Sequence, residues 1–256
     1  EPYYFCRLDV PNDFKRDSMI WDKKKYLDLF KNANKHQRVG EATSAYLHCP
    51  NAANDIKNQF PDSKIIILIR NPIERAHSAY FSYQFMHPDK RSFPEMIIDH
   101  ENKIKNNEFF LYSILDPGFY SKYIKKYQDV FPEEQLKIIV FEDYVKNTKK
   151  IVESVLEFLN IDKKIEFKEQ KKGAYRVPKN KISGRLLENK KFRSVATKII
   201  PTVYRQKMGD KFLLNQTSKP KMANNDIQKL KNIYHNEVIE LEKLLNLKLP
   251  WKEFNS

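Results

Sequence analysis

Lys64-Ile-Ile-Ile-Leu-Ile69-Arg70-Asn71-Pro72-Ile-Glu74-Arg75-Ala-His77-Ser78-Ala-Tyr80 sets the reading of the whole chain. Ile65 to Ile69 is an unbroken apolar run, rich in β-branched side chains and without alternation. That pattern predicts a strand buried on both faces, the habit of a central parallel strand. Asn71-Pro72 ends it, and Pro72 suits the first position of a helix reaching to about Phe85. Arg70 therefore leaves the strand at its carboxyl end, where open α/β sheets bind ligands. The N–H groups opening the helix favour an anion. Ser78 lies on the helical face of Asn71, and helical side chains lean toward the N-terminus, which turns its hydroxyl toward Arg70. A guanidinium fork and a hydroxyl beside a helix start make a phosphate site. A plainer reading pairs Arg70 with Glu74 on the surface.

Working outward, Leu136–Phe141 is a second strand and Arg38–Glu41 a short third candidate. Helices are expected over Phe119–Val130 and over Lys150–Leu159, the latter burying Ile151, Val155, Leu156 and Leu159. The last helix starts near Asn225, a good N-cap, and carries the stripe Ile227, Leu230, Tyr234, Val238, Leu241, Leu245. Strands alternating with helices predict an α/β fold, a central parallel sheet with helices on both faces. Residues 171–222 are basic and punctuated by Pro178, Pro201 and Pro220, so they read as loops and short helices over the sheet. Residues 1–256 are expected to form a single domain.

The 256 residues include 47 Lys and Arg against 33 Asp and Glu, a formal charge of +14 that suits an anionic partner. Hydrophobic residues at 41% and aromatics at 13% argue against a mainly disordered chain. No apolar run is long enough to span a bilayer, and no signal-peptide core opens the chain. The five glycines, Gly40, Gly118, Gly173, Gly184 and Gly209, are too far apart for either glycine-rich phosphate loop. Cys6 and Cys49 exclude a cysteine zinc cluster and read as isolated free thiols of an intracellular protein. The histidines lack metal-ligand spacing, so no metal is expected; among them His48 is a second candidate base, and His77 falls on a different helical face from Ser78.

R-N-P-x-x-R-x-x-S-x-Y after a strand resembles the 3′-phosphate-binding segment of sulfotransferases that use 3′-phosphoadenosine 5′-phosphosulfate (PAPS). Glu1-Pro-Tyr-Tyr-Phe5 is similar to the K-E-P-x-x-F segment of carbohydrate and heparan-sulfate sulfotransferases. Gly40-Glu-Ala-Thr-Ser-Ala-Tyr-Leu47 is similar to their G-E-K-[ST]-P-x-Y. Gly118-Phe-Tyr120, Phe131-Pro-Glu-Glu-Gln-Leu136 and Phe141-Glu-Asp143 follow the family's G-x-Y, F-P-x-E-Q and E-D in order. The resemblance implies a P-loop-like sulfotransferase fold, with Arg70 and Ser78 on the 3′-phosphate of PAPS. It implies Lys172-Gly173 as the loop closing over that phosphate, Glu1 as general base, and Tyr3 and Phe5 beside the acceptor.

Two departures stand out. The family's K-x-G-T-[TS] phosphosulfate loop and its strand lie upstream of K-E-P, so the sequence is expected to lack them. Ala42 and Ser44 replace the Lys and Pro of heparan-modifying relatives. The function implied is sulfuryl transfer from PAPS to an acceptor hydroxyl, on a glycan, leaving 3′-phosphoadenosine 5′-phosphate (PAP). Two other classes compete. A basic nucleic-acid-binding module would use the tracts Lys23–Lys25, Lys163–Lys172 and Lys179–Lys191, but no module signature accompanies them. A P-loop small-molecule kinase would share the fold. The expected location is the cytoplasm, or the Golgi lumen for a truncated eukaryotic chain. Asn215-Gln-Thr217 is a glycosylation sequon.

Overall fold

β1 (Ile65–Ile69) runs parallel to β2 (Leu136–Val140), with Ile65 opposite Leu136 and Ile69 opposite Val140. Parallel neighbours need a crossover, and here it carries α3 (Pro72–Met86), α4 (Phe93–Lys105) and α5 (Tyr120–Gln128). α1 (Lys23–Asp28) and α2 (Ala52–Gln59) precede β1; α6 (Phe141–Lys146) and α7 (Thr148–Phe158) follow β2. The computed structural model describes residues 1–7, 10, 19–86, 89–162, 175–189, 195 and 212–255. They belong to two compact units, Glu1–Ile165 with Asn224–Ser256, and Glu166–Ala223.

In the first unit, Ile67 and Ile69 are buried while Ile66 and Leu68 are 40% and 52% exposed. The two-sided burial expected of the apolar run is thus corrected to one side. β1 has β2 as its hydrogen-bonded neighbour, and its other face stays partly open among the described residues. Arg38–Glu41 is not a strand: a ladder needs a partner for its N–H and C=O groups, and no described strand runs beside it. α7 lies where the periodicity put it, but Ile151, Val155, Leu156 and Leu159 are half-buried, not buried.

The last helix, α9 (Asn224–Leu245), packs on α5 and α3 through Leu230, Tyr234, Val238 and Leu241, with Ile227 and Leu245 half-buried at the ends of the stripe. α4 opens with a capping box, Ser92 and Glu95 each accepting or donating across the first turn. Cys6 and Cys49 are joined in a buried disulfide, their Cα atoms 5.7 Å apart. The free-thiol reading is corrected accordingly: spacing along the chain could not reveal that folding brings the two together. Among the described residues no helix is long and apolar enough to cross a membrane.

In the second unit, β3 (Tyr175–Pro178) pairs antiparallel with β4 (Leu214–Thr217). α8 (Lys181–Glu188) is capped by Asn180, whose Oδ1 accepts from Ser183 N–H at 2.8 Å. This strand pair was not among the loops and short helices expected here. Asn215 of the sequon is exposed on β4.

Candidate functional site

Arg70 follows β1 at its carboxyl end, as the sequence implied. Its backbone is held by Tyr120 of α5, whose hydroxyl donates to Arg70 C=O at 2.9 Å and accepts from Arg70 N–H at 3.3 Å. The guanidinium lies 5.0 Å from the centre of the Phe141 ring, within cation–π range. It also pairs with Glu74 Oε2 at 3.3 Å, the plainer partner foreseen from the sequence. Both side chains of that pair are substantially exposed, so the pair is weak and an incoming anion can displace it.

Asn71 caps α3: its Oδ1 accepts from the N–H groups of Ile73 at 3.0 Å and Glu74 at 3.4 Å. Its own N–H donates to Glu142 Oε1 at 3.0 Å, and its Nδ2 donates to Glu253 Oε2 at 2.7 Å. Trp251 Nε1 donates to the other Glu142 oxygen at 2.9 Å. Two N–H groups that open α3 are therefore already used, so the side chains of Arg70 and Ser78 carry more of any anion site than the sequence reading allowed. Ser78 is half-buried two turns into α3. Arg75, the second Arg of the motif, donates to the carbonyls of Ile114 and Leu115 and so braces the turn before α5.

Glu1 lies in a second cluster. Its Oε1 accepts from Ser44 N–H at 3.1 Å and from Ser44 Oγ at 3.0 Å. Tyr3 N–H donates to Thr43 Oγ1 at 3.4 Å, and Phe5 N–H to Tyr46 Oη at 3.4 Å. Beneath them Glu41 accepts from Tyr46 Oη at 2.7 Å, Tyr26 Oη at 3.2 Å and Thr43 Oγ1 at 3.0 Å. Burial and the Glu41 carboxylate both push the Tyr26 and Tyr46 hydroxyls well above the ordinary tyrosine range. The structure thus brings together the Glu1 and Gly40–Leu47 segments, which stand far apart in sequence. Glu1 is exposed, whereas Phe5 is buried in the aromatic cluster with Tyr4, Tyr26 and Tyr46.

Lys172 and Gly173 lie outside the described residues. His48 is buried, with Nε2 at 3.0 Å from Leu111 C=O, and burial pushes its pKa down. Without access to solvent it is no candidate base. His77 is buried against Phe81 and Phe93, away from Ser78 as its helical position implied. Sequence reasoning missed Trp251 and Glu253, which reach the Asn71 turn from the far end of the chain. It had Glu142 and Tyr120 only as letters of the E-D and G-x-Y patterns, without their contacts.

A parallel β1–β2 pair with a helix launched beside a strand-end arginine is the architecture of an α/β protein. The chain belongs to the sulfotransferase domain family, whose sequence profile matches residues 6–246. Mouse carbohydrate sulfotransferase 15 is 26% identical over 117 residues, covering 40% of this chain and 21% of that protein. Mouse heparan sulfate glucosamine 3-O-sulfotransferase 3B1 is 27% identical over 161 residues, 63% of this chain and 38% of that protein. The chain thus spans well under half the length of these curated relatives. The crystal structure of a sulfotransferase from Alicyclobacillus acidocaldarius superposes with a TM-score of 0.71 at 23% identity, over 98% of this chain and 85% of that one. The fold is accordingly the P-loop-like α/β fold of sulfotransferases.

Proposed function

We propose that this chain transfers a sulfuryl group from PAPS to a hydroxyl on a carbohydrate acceptor, and that residues 1–256 act as one sulfotransferase-like domain. Arg70 carries the reading. It is a half-buried guanidinium at the strand end, in the family's spacing to Ser78, and its recorded ion pair is one weak surface contact. A guanidinium offers five donors, so the chemistry of Arg70 and Ser78 fits a phosphate. Lys172 and Gly173 are proposed to close over the same group. PAPS, when bound, supplies an activated sulfuryl group whose departure leaves PAP. Arg70 and Ser78 bind and orient that nucleotide. Glu1, fixed by Ser44, takes the proton from the acceptor hydroxyl as its oxygen bonds to sulfur, a role that contributes roughly 10²–10⁴-fold in such sites. The names of the mouse relatives support a carbohydrate acceptor, while Ala42 argues against copying the heparan pattern whole.

Calorimetric titration of the full-length protein with PAP and with ADP tests the reading, because only PAP carries the 3′-phosphate. PAP is expected to bind about tenfold or more tightly than ADP, and Arg70→Ala is expected to erase that preference. Equal binding of the two nucleotides by the folded protein overturns it. Glu1→Gln should abolish turnover with PAP affinity intact; loss of both, or of neither, contradicts the assigned base.

A further inference from the structure

Glu1 and its partner Ser44 sit on two short 3-10 turns, Tyr4–Cys6 preceded by Glu1, and Ser44–Leu47 followed by Cys49. Neither turn belongs to a sheet ladder, so neither has the regular hydrogen bonding that fixes a strand or a long helix. Between them run three kinds of link. The first is the set of hydrogen bonds from Ser44 to Glu1 and from Tyr3 to Thr43, which are exposed or part-buried, with a buried one from Phe5 N–H to Tyr46 Oη. The second is the aromatic contact of Phe5 with Tyr46, 5.4 Å between ring centres. The third is covalent: Cys6 bonded to Cys49, both fully buried, across a sequence separation of 43.

We propose that the Cys6–Cys49 disulfide is a positioning device for Glu1, holding its carboxylate against Ser44, and that the protein works in an oxidising compartment or outside the cell. The proposal rests on the reading of Glu1 as general base. The disulfide sits five residues from Glu1 along one segment and five from Ser44 along the other, so it fixes the separation of two turns whose links at the Glu1 end are single side-chain bonds. A proton acceptor displaced by about an ångström loses much of its effect. Forming the bond takes two electrons and two protons from the thiols and passes them to a disulfide donor, which cytosolic thiol pools oppose. This reading stands against the cytoplasmic expectation and agrees with the Golgi-lumen alternative. Opening the bond returns two thiols, as when dithiothreitol reduces it and closes into its own cyclic disulfide.

Peptide mapping of the full-length protein after alkylation without reductant should yield a Cys6–Cys49 linked peptide; alkylation of both cysteines in protein made in an oxidising host compartment overturns the proposal. Kinetics then separate positioning from bulk structure. Reduced protein, and separately the Cys6→Ser/Cys49→Ser variant, is expected to lose about tenfold or more in kcat, with PAP affinity by calorimetry and the circular dichroism spectrum unchanged. Full kcat after reduction overturns the proposal, as does a fall in PAP affinity matching the fall in kcat, or unfolding of both reduced and variant protein at assay temperature. Absence of PAP binding to the oxidised protein would instead sink the sulfotransferase mechanism, and the peptide map would still decide the bond.

Discussion

A methyl group on Gly118 would stand 2.8 Å from the Tyr234 hydroxyl and 2.9 Å from its ring. Tyr234 cannot yield, because it is fully buried and its hydroxyl donates to Leu115 C=O at 2.8 Å. Gly118→Ala is therefore expected to destabilise the protein by about 1–3 kcal/mol through overpacking, read as a lower urea midpoint at unchanged slope. The family pattern located Gly118 in the sequence, yet its reason is a tyrosine on the last helix, which no local pattern could supply. Arg70 was legible in the same way: its place at a strand end followed from five apolar residues and an Asn-Pro turn. Its bracing by the Tyr120 hydroxyl was not legible, since that contact depends on how α5 packs.

Elements whose signal is periodic were read nearly to their ends. α3 runs one residue past the expected Phe85 and α9 starts one residue before Asn225, which lies inside the helix and does not cap it; both were legible because a helix satisfies its own backbone. Strands failed where pairing decides: among the described residues Arg38–Glu41 has the composition of a strand but no neighbour to hydrogen-bond, and β1 has the composition of a central strand but one partly open face. The turn between β1 and α3 is likewise a tertiary product. Glu142 of α6 accepts from both Asn71 N–H and Trp251 Nε1, so one carboxylate ties the turn to the segment after α9. Trp251→Phe keeps most of the buried ring and removes that donor. The loss expected is about 1–3 kcal/mol of stability, together with weaker PAP binding, since the Arg70–Asn71 turn loses a brace. Unchanged calorimetry with the stability loss present would confine Trp251 to a structural part.

For the molecule as a whole, the +14 charge was plain from the sequence but names no site. Acid sensitivity is a sharper whole-molecule property. His100 is fully buried, its Nδ1 accepting from Ile114 N–H at 2.9 Å, and burial with the nearby Lys103 ammonium pushes its pKa from 6.5 down to about 4. The unfolded chain takes a proton there near pH 6.5 and the folded chain only near pH 4, so this contribution is complete above 6.5 and fades as pH falls between those values. The expected loss reaches about 3 kcal/mol. Urea unfolding at a series of pH values checks it: His100→Gln should flatten the curve between pH 6.5 and 4, and an unaltered slope in the variant refutes the assignment.

The hold of Trp251 and Glu253 on the Asn71 turn also sets an order of events during synthesis. A nascent chain that has left the ribosome as far as about residue 240 already has Arg70, Ser78 and the helix between them. It does not yet have the two side chains that secure Glu142 and Asn71, because translation proceeds from the N-terminus at a finite pace. Nucleotide added to stalled nascent chains should therefore protect the turn from protease only once residue 253 is clear of the exit tunnel.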